Sequence, residues 1–402
     1  MNPAGRLVYS SWFGDLGGGE LRMLDHIRAT AFTPGRTTAL VAQPGPVVDA
    51  IVAAGAHAKV NVWKGGKNYA ARQWFWYSAW LRCAHMLRQT APQLVVCNTF
   101  FDLESTGHVT GTLGLPLVWR ARADTFPIAH QWPARRLQKV VAFLNEKVAT
   151  IAATTRYEAD LMVGAGVNAD KVHVIHNGVD LQRYGEATTG LALRQAQGLH
   201  RDHFVLAFVA RMVPQKGYEV FFDAIAVLKR QGVPVKALVA GDTTLLEESA
   251  DEYKRGLKTQ VERLGLLDDV RFLGFRHDIH AVMHAADVFV SASHVEPFGN
   301  TNIEAMAAGK PVVSSDLPGP RESVVADETG LFFPAGDSAA LAGQLLRLHG
   351  NQPQARQFGE QGRQRAEQVF DLTRNVAALD ALCLNVTASA GRHGSTVRSR
   401  GR

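Results

Sequence analysis

The fold is decided by SASHVEPFGNTNIEAMAAGKPVVSS, residues 291–315 of a 402-residue chain. The apolar run 287–293 reads as a strand leading into a loop over 294–300. Ile303, Met306 and Ala307 then recur at helical spacing. Gly309 and Pro311 stop the helix, and the run from Pro311 to Ser315 predicts the next strand. Strand, loop, helix and strand make one βαβ unit, so the expected class is α/β with parallel sheets. Two carboxylates flank the loop, Glu296 within it and Glu304 one turn into the helix.

This spacing suits a nucleotide sugar. A helix N-terminus presents unpaired N–H groups and partial positive charge to a phosphate. Here those groups belong to Asn300 and Thr301, and Gly299 lets backbone approach a ligand closely. Carboxylates repel phosphates but accept hydrogen bonds from sugar hydroxyls, which lie on either side of a diphosphate. A second reading fits Glu304 equally well. Thr301-x-x-Glu304 is a capping-box pattern, in which the glutamate only secures the helix start.

Outward in the second half, residues 204–210 form an apolar run suited to a doubly covered strand. Arg211 and Lys216 follow in the loop before the next helix. An arginine fork and a mobile lysine charge can clamp a diphosphate; ordinary surface charge is the competing view. Residues 235–241 and 270–275 predict two more strands, the latter ending in Gly274-Phe275. A Pro/Gly loop is expected over 316–322, a strand and helix over 331–348, and a last helix over 370–386.

In the first half, short strands are predicted near 6–10, 37–41, 58–62, 94–98, 117–120, 149–154 and 171–175. The first feeds Gly14-Asp-Leu-Gly-Gly-Gly-Glu20, which does not fit the dinucleotide spacing G-x-G-x-x-G. It reads as a flexible strand-to-helix turn, or as a loop whose Gly18 and Gly19 amides meet an anion. Arg120 and Arg122 close the fifth strand. Either they lie in a solvated loop, or they hold a substrate phosphate or acceptor. Asn177-Gly178 is a strong turn signal.

At this length the chain makes two domains. Its 46% hydrophobic and 20% charged residues are ordinary for a globular protein. The first thirty residues do not read as a secretory leader, and no apolar run is long enough to span a membrane. Three scattered cysteines, Cys83, Cys97 and Cys383, fit a reducing cytoplasm. The net charge of +6 is uneven. Residues 391–402 hold four arginines and no acid, and predict a disordered tail. From Ala50 to Phe101 there are six Lys or Arg and no Asp or Glu. Lys59, Lys64, Lys67, Arg72, Arg82 and Arg88 lie there with Trp63, Trp74, Trp76 and Tyr77. Such a basic face calls for phosphate, anionic lipid or nucleic acid. No nucleic-acid module motif accompanies it, and lipid suits the aromatics best. On a helix, Trp76, Trp80, Cys83 and Leu87 form a core stripe.

Several motifs together resemble one family. The segment from Glu296 to Glu304, with its Pro-Phe-Gly turn and the Gly-x-Pro exit at Gly309–Pro311, resembles the E-x7-E signature of retaining glycosyltransferases, most closely glycosyltransferase family 4. The loop Gly17–Glu20 is similar to that family's Gly-Gly-x-Glu loop. Arg211 to Gly217 is similar to its Gly-Arg-x4-Lys-Gly clamp, with Ala210 where the family often has Gly. The resemblance implies the GT-B fold, two Rossmann-like domains facing each other across a cleft. Residues 1–178 would form the acceptor-side domain and 179–368 the nucleotide-sugar domain. Residues 369–387 would cross back onto the first domain, leaving 388–402 as the basic tail.

By the same resemblance, Glu296, Arg211 and Lys216 are catalytic. Gly18, Gly19, Gly274, Phe275, Gly299, Asn300, Thr301 and Glu304 contact the donor. No metal or cofactor is required, because protein charges take the metal's place. Many members carry a His after the fifth strand; this chain has Arg122 there, and the nearest later histidine is His130. The implied activity is retaining transfer of a sugar from a nucleotide diphosphate to a glycan or lipid-linked acceptor. Cell-envelope polysaccharide or glycolipid synthesis is the expected setting, at the cytoplasmic face of the inner membrane. The missing His keeps a second function open, that of a non-catalytic nucleotide-sugar-binding subunit.

Overall fold

A computed structural model describes residues 6–32, 36–61, 69–122, 132–185, 188–243 and 250–398, without the side chains of 69–78, 250 and 391–398. The chain divides into two compact units. One comprises residues 1–178 together with 372–402, the other residues 179–371.

The first unit is built on a seven-stranded sheet of β1 (Leu7–Ser11), β2 (Thr37–Val41), β3 (His57–Val60), β4 (Leu94–Cys97), β5 (Leu117–Ala121), β6 (Thr150–Ala153) and β7 (Val172–Val174), in the order β3-β2-β1-β4-β5-β6-β7. The second is built on six strands, β8 (Phe204–Val209), β9 (Val235–Ala240), β10 (Val270–Gly274), β11 (Val288–Ser291), β12 (Val312–Ser315) and β13 (Gly330–Phe333), in the order β10-β9-β8-β11-β12-β13. Every pairing within the two sheets is parallel. The sequence dictates this. Runs such as Phe204–Val209 are apolar on both faces, as strands covered by helices on each side must be. In each sheet the strand order reverses once, between β1 and β4 and between β8 and β11. Ligands of open parallel sheets bind outside the carboxyl ends of the strands at such a reversal.

The second unit packs its core on both faces of the sheet. On one face Phe208 stacks on Phe221, with ring centroids 4.7 Å apart. The Pro/Gly segment expected to be a loop is instead a short helix, Pro318–Ser323, because Pro318 stands at its first turn, where the missing N–H costs nothing. Gly319 in it lies against the Glu296 and Pro297 backbone. A Cβ there would sit 2.2 Å from the Glu296 carbonyl oxygen.

In the first unit, the helix Tyr69–Thr90 buries Ala79, Cys83, Ala84 and Leu87, with Trp80 half-buried against the same core. Lys59 donates to Gln89 (3.2 Å) and Arg82 to Asn61 (3.1 Å). Trp63, Lys64, Lys67 and His130 lie outside the described residues, as do the side chains of Arg72, Trp74, Trp76 and Tyr77. No described helix is long and apolar enough to cross a membrane.

The last helix, Leu372–Arg398, belongs to the first unit. It extends past 387, where a disordered tail is expected from the sequence. Thr387 and Ser389 hydrogen-bond back to the Leu384 and Asn385 carbonyls and so sustain the helix rather than break it. Leu379 and Cys383 enter the core. Asp380 accepts from buried His26 (3.0 Å), the Thr30 hydroxyl (2.7 Å) and the Ala31 amide (2.8 Å). Burial pushes the His26 pKa down. At Asp380 burial acts upward, but hydrogen bonds from His26 and its neighbours hold the carboxyl below its usual range. Asp380→Ala strands the buried His26 donor, at about 1–3 kcal/mol for an orphaned buried group, and with it the half-buried Thr30 hydroxyl and the exposed Ala31 amide at less. The expected result is a loss of roughly 3 kcal/mol in urea unfolding, with the Asn variant milder because its amide oxygen still accepts.

Candidate functional site

Residues beyond the carboxyl ends of β8, β9, β10 and β11 converge in the second unit. Backbone constraints draw them together. Gly217 has φ +68°, and any side chain there would meet the Ala292 carbonyl oxygen at 2.0 Å. Gly241 has φ +140°, with the Ala210 carbonyl 1.7 Å from where a Cβ would stand. Only glycine permits both approaches. The Tyr218 hydroxyl donates to the Ala210 carbonyl (2.7 Å), and the His294 amide donates to the Gln215 carbonyl (2.8 Å). The loop after β8 and the loop after β11 are thus fastened side by side.

Lys216 and Glu296 meet at this fastening, with Nζ 2.6 Å from Oε2. Glu296 also accepts from the Ser293 hydroxyl (3.3 Å) and, through Oε1, from the Gly299 amide (3.0 Å). Both side chains are largely buried, at 20% and 12% exposure. A pair this sheltered from solvent is a stronger contact than a surface ion pair. Arg211 is exposed at the end of β8, and its guanidinium has no partner among the described residues. Phe298 anchors the loop from below, buried with its ring 5.8 Å from that of Phe370.

The helix Asn300–Ala307 begins at Gly299, whose φ is +92° and which caps it without a side-chain hydrogen bond. This start overturns the capping-box reading. Thr301 is the second helical residue rather than the cap, so Glu304 stands two positions beyond the place a capping-box glutamate occupies. The reason is the Glu296 carboxylate, which fixes the Gly299 amide and brings the left-handed turn one residue earlier than Asn300. Glu304 is buried on this helix. Gly274, at φ +68°, ends β10 and accepts from the Gly241 amide (2.9 Å). Phe275 next to it is exposed, its ring edge-on to His277. Asp242, after β9, pairs with Lys254 (2.6 Å), a contact that no motif signals.

The first unit presents a separate set. Gly18 and Gly19 open the helix Gly18–Ala29, whose cap Gly17 supplies no side chain. Arg122 donates from Nη1 to the Gly19 carbonyl and to Asn98 Oδ1, each at 2.8 Å. Arg120 is on β5 itself and almost fully buried. It donates to the carbonyls of Ala152 (3.2 Å) and His176 (3.3 Å) and to Asn177 Oδ1 (3.3 Å). The solvated-loop reading therefore fails for both, because alternation along β5 turns Arg120 inward and Arg122 continues on the same face. Burial, and after it Arg22, lowers the Arg122 pKa to about 9; burial, and after it Arg122, pushes Arg120 well down. Arg22 beside them, 3.1 Å from Asp25, carries no sequence signal beyond an i, i+3 charge pair. Among the described residues no three His, Cys, Asp or Glu side chains gather as metal ligands.

Residues 25–183 match the model of Glycosyltransferase Family 4, and residues 191–365 that of Glycosyl transferases group 1. The chain is 34% identical over 236 residues to the D-inositol 3-phosphate glycosyltransferase of Saccharomonospora viridis, covering 57% of this chain and 54% of that protein. It is 28% identical over 240 residues to the capsular polysaccharide biosynthesis glycosyltransferase CapM of Staphylococcus aureus, covering 57% and 61%. The chain spans 51–62% of the length of three curated relatives it matches. Among solved structures, Anabaena Alr3699/HepE in complex with UDP superimposes with a TM-score of 0.82, over 94% of this chain and 99% of that one, at 24% identity. Two family models, one in each half, and a shared two-sheet fold agree: the chain belongs to the family 4 type of glycosyltransferase, with the GT-B fold.

Proposed function

We propose that the protein transfers a sugar from a nucleotide diphosphate to a glycan or lipid-linked acceptor, with retention and without a metal ion. The observation that carries this reading is the Lys216–Glu296 pair, held at 2.6 Å beside the Gly299 amide where the second sheet's strand order reverses. A diphosphate entering there competes with Glu296 for Lys216. Released from the lysine, Glu296 accepts from hydroxyls of the transferred sugar and steadies positive charge at its ring. Arg211 and Lys216 take the charge that grows on the leaving diphosphate, in the place of a metal ion. The amides of Asn300 and Thr301 add the helix terminus, and Gly299 admits the phosphate. Glu304 holds the ribose, while Gly274 and Phe275 border the base. The known complexes of Anabaena Alr3699/HepE with UDP and with UDP-glucose make UDP-glucose the first donor to try. Names among the relatives, including a lipopolysaccharide core mannosyltransferase of Rhizobium meliloti, support an envelope glycan or glycolipid as acceptor.

A binding subunit without activity is separated from an enzyme by one assay, hydrolysis of UDP-sugars by the purified chain. Activity is expected, and EDTA should leave it intact. Lys216→Ala should reduce turnover about 100-fold, the effect of losing roughly 3 kcal/mol at the transition state. Unaltered turnover in this variant would remove the clamp.

Glu304→Gln keeps the side chain's size and removes its charge. Weaker stabilisation by the donor is expected in thermal melts, with the melting of the free protein near normal. Equal donor affinity in both proteins would return Glu304 to a purely structural role.

The basic segment 50–101 supports reversible docking on anionic lipid at the inner face of the cytoplasmic membrane, at about 1 kcal/mol for each basic side chain near the surface. Sedimentation with liposomes should show binding to anionic but not neutral vesicles, weakening as salt rises. Changing Lys64, Lys67 and Arg72 to Glu should abolish it and leave donor binding intact. No binding at low salt by the unmodified protein would end the membrane claim.

A further inference from the structure

The first unit contains a small pocket, partly open to solvent, lined by Arg22, Arg120, Arg122, His26, His176 and Asn375 among others. It lies where residues 176–178 leave the unit and residues 372–379 re-enter it. Donor binding in the second unit uses none of these groups. The cavity's charge balance is unusual. Arg120 and Arg122 are buried or half-buried cations whose hydrogen-bond partners among the described residues are all neutral, namely the carbonyls of Gly19, Ala152 and His176 and the amide oxygens of Asn98 and Asn177. No carboxylate lies within ion-pair distance of either among the described residues. The Nε–H groups of both are buried with no hydrogen-bond partner among the described residues. Acids do stand nearby. Asp25 pairs with Arg22, Asp380 with His26, and Glu20 and Glu158 act on the arginines only at longer range.

Buried cations without anionic partners are costly, and so are buried donors left unmade. Two guanidinium forks with free Nε–H groups, set against one cavity, match the oxygens of a tetrahedral anion. We propose that this cavity binds a phosphoryl group, with Arg120 and Arg122 as its ligands and Arg22 and His26 beside them. The anion supplies the missing negative charge and takes up the unused donors. It ties β5, the helix Gly18–Ala29 and the start of the last helix to one ligand. This site stands apart from the donor reading and survives that reading's failure. Two sources share the chemistry, the phosphate ester of an acceptor and free inorganic phosphate.

The test is thermal melting against inorganic phosphate and glycerol 3-phosphate, with chloride holding ionic strength constant. The unmodified protein and Lys216→Ala should be stabilised alike, since the diphosphate clamp is not the site. Arg122→Gln and Arg22→Gln should each weaken apparent affinity about tenfold or more, as expected when a charge-assisted contact is lost. Arg120 is left unaltered, because its hydrogen bonds tie β5 to β6 and to residues 176–177. Should the arginine variants fail to fold, hydrogen exchange on the unmodified protein decides. Phosphate should slow exchange in 176–178 and 372–379. Tighter binding of glycerol 3-phosphate assigns the site to an esterified acceptor, and tighter binding of inorganic phosphate to the free ion. The proposal is overturned by no stabilisation, by stabilisation lost in Lys216→Ala, by stabilisation indifferent to both arginine variants, or by unchanged exchange in those segments.

Discussion

Two loops of the second unit are held within one carbonyl's reach of each other, and the candidate site follows from that constraint. The Ala292 carbonyl occupies the space where a side chain at position 217 would lie. Once the backbones are so close, Lys216 and Glu296 have no route past each other and form a short, sheltered pair. Glu296 then spends its second oxygen on the Gly299 amide, which sets the start of the helix carrying Glu304. Behind the loop, Gly319 leaves room for the Glu296 backbone, and the Phe298 ring fixes its depth. Positions of both glutamates are therefore consequences of glycine contacts some distance along the chain.

The two units handle charge in opposite ways. In the second, cations near the site either face solvent, as Arg211 does, or meet a carboxylate, as Lys216 and Lys254 do. In the first, Arg120 and Arg122 are drawn inward by a strand position and answered only by carbonyls and amides. An arrangement of that kind is expensive for a free protein and is rational where an anion completes it. An arginine after the fifth strand, where the resemblance implied a histidine, offers a fixed cation in place of a group that titrates near neutrality.

The last helix shows how a polar group can be both anchor and specificity device. Its apolar residues Leu379 and Cys383 would let it lie on several faces of the first unit. Asp380 selects one, because only there do His26, Thr30 and Ala31 all present donors. Register is set by the hydrogen bonds, while the adhesion comes from the apolar burial.

Much of this was readable in the amino-acid sequence. Continuous apolar runs such as Phe204–Val209 determined the parallel strands, because a strand covered on both faces can show no polar alternation. Gly299 and the two glutamates marked the candidate site, since a glycine before a helix and paired carboxylates are local chemistry. Other features arose only in three dimensions. The helix start at Gly299 instead of Thr301 depends on a carboxylate three residues earlier folding back, and the short helix at Pro318 depends on packing against the Glu296 loop. Partners far apart in sequence, such as Lys216 with Glu296, Arg122 with Asn98 and His26 with Asp380, became neighbours only when the sheets formed. Local sequence determines which backbone conformations are open to a segment; burial decides which charge is left facing which, and that is a property of the packed chain alone.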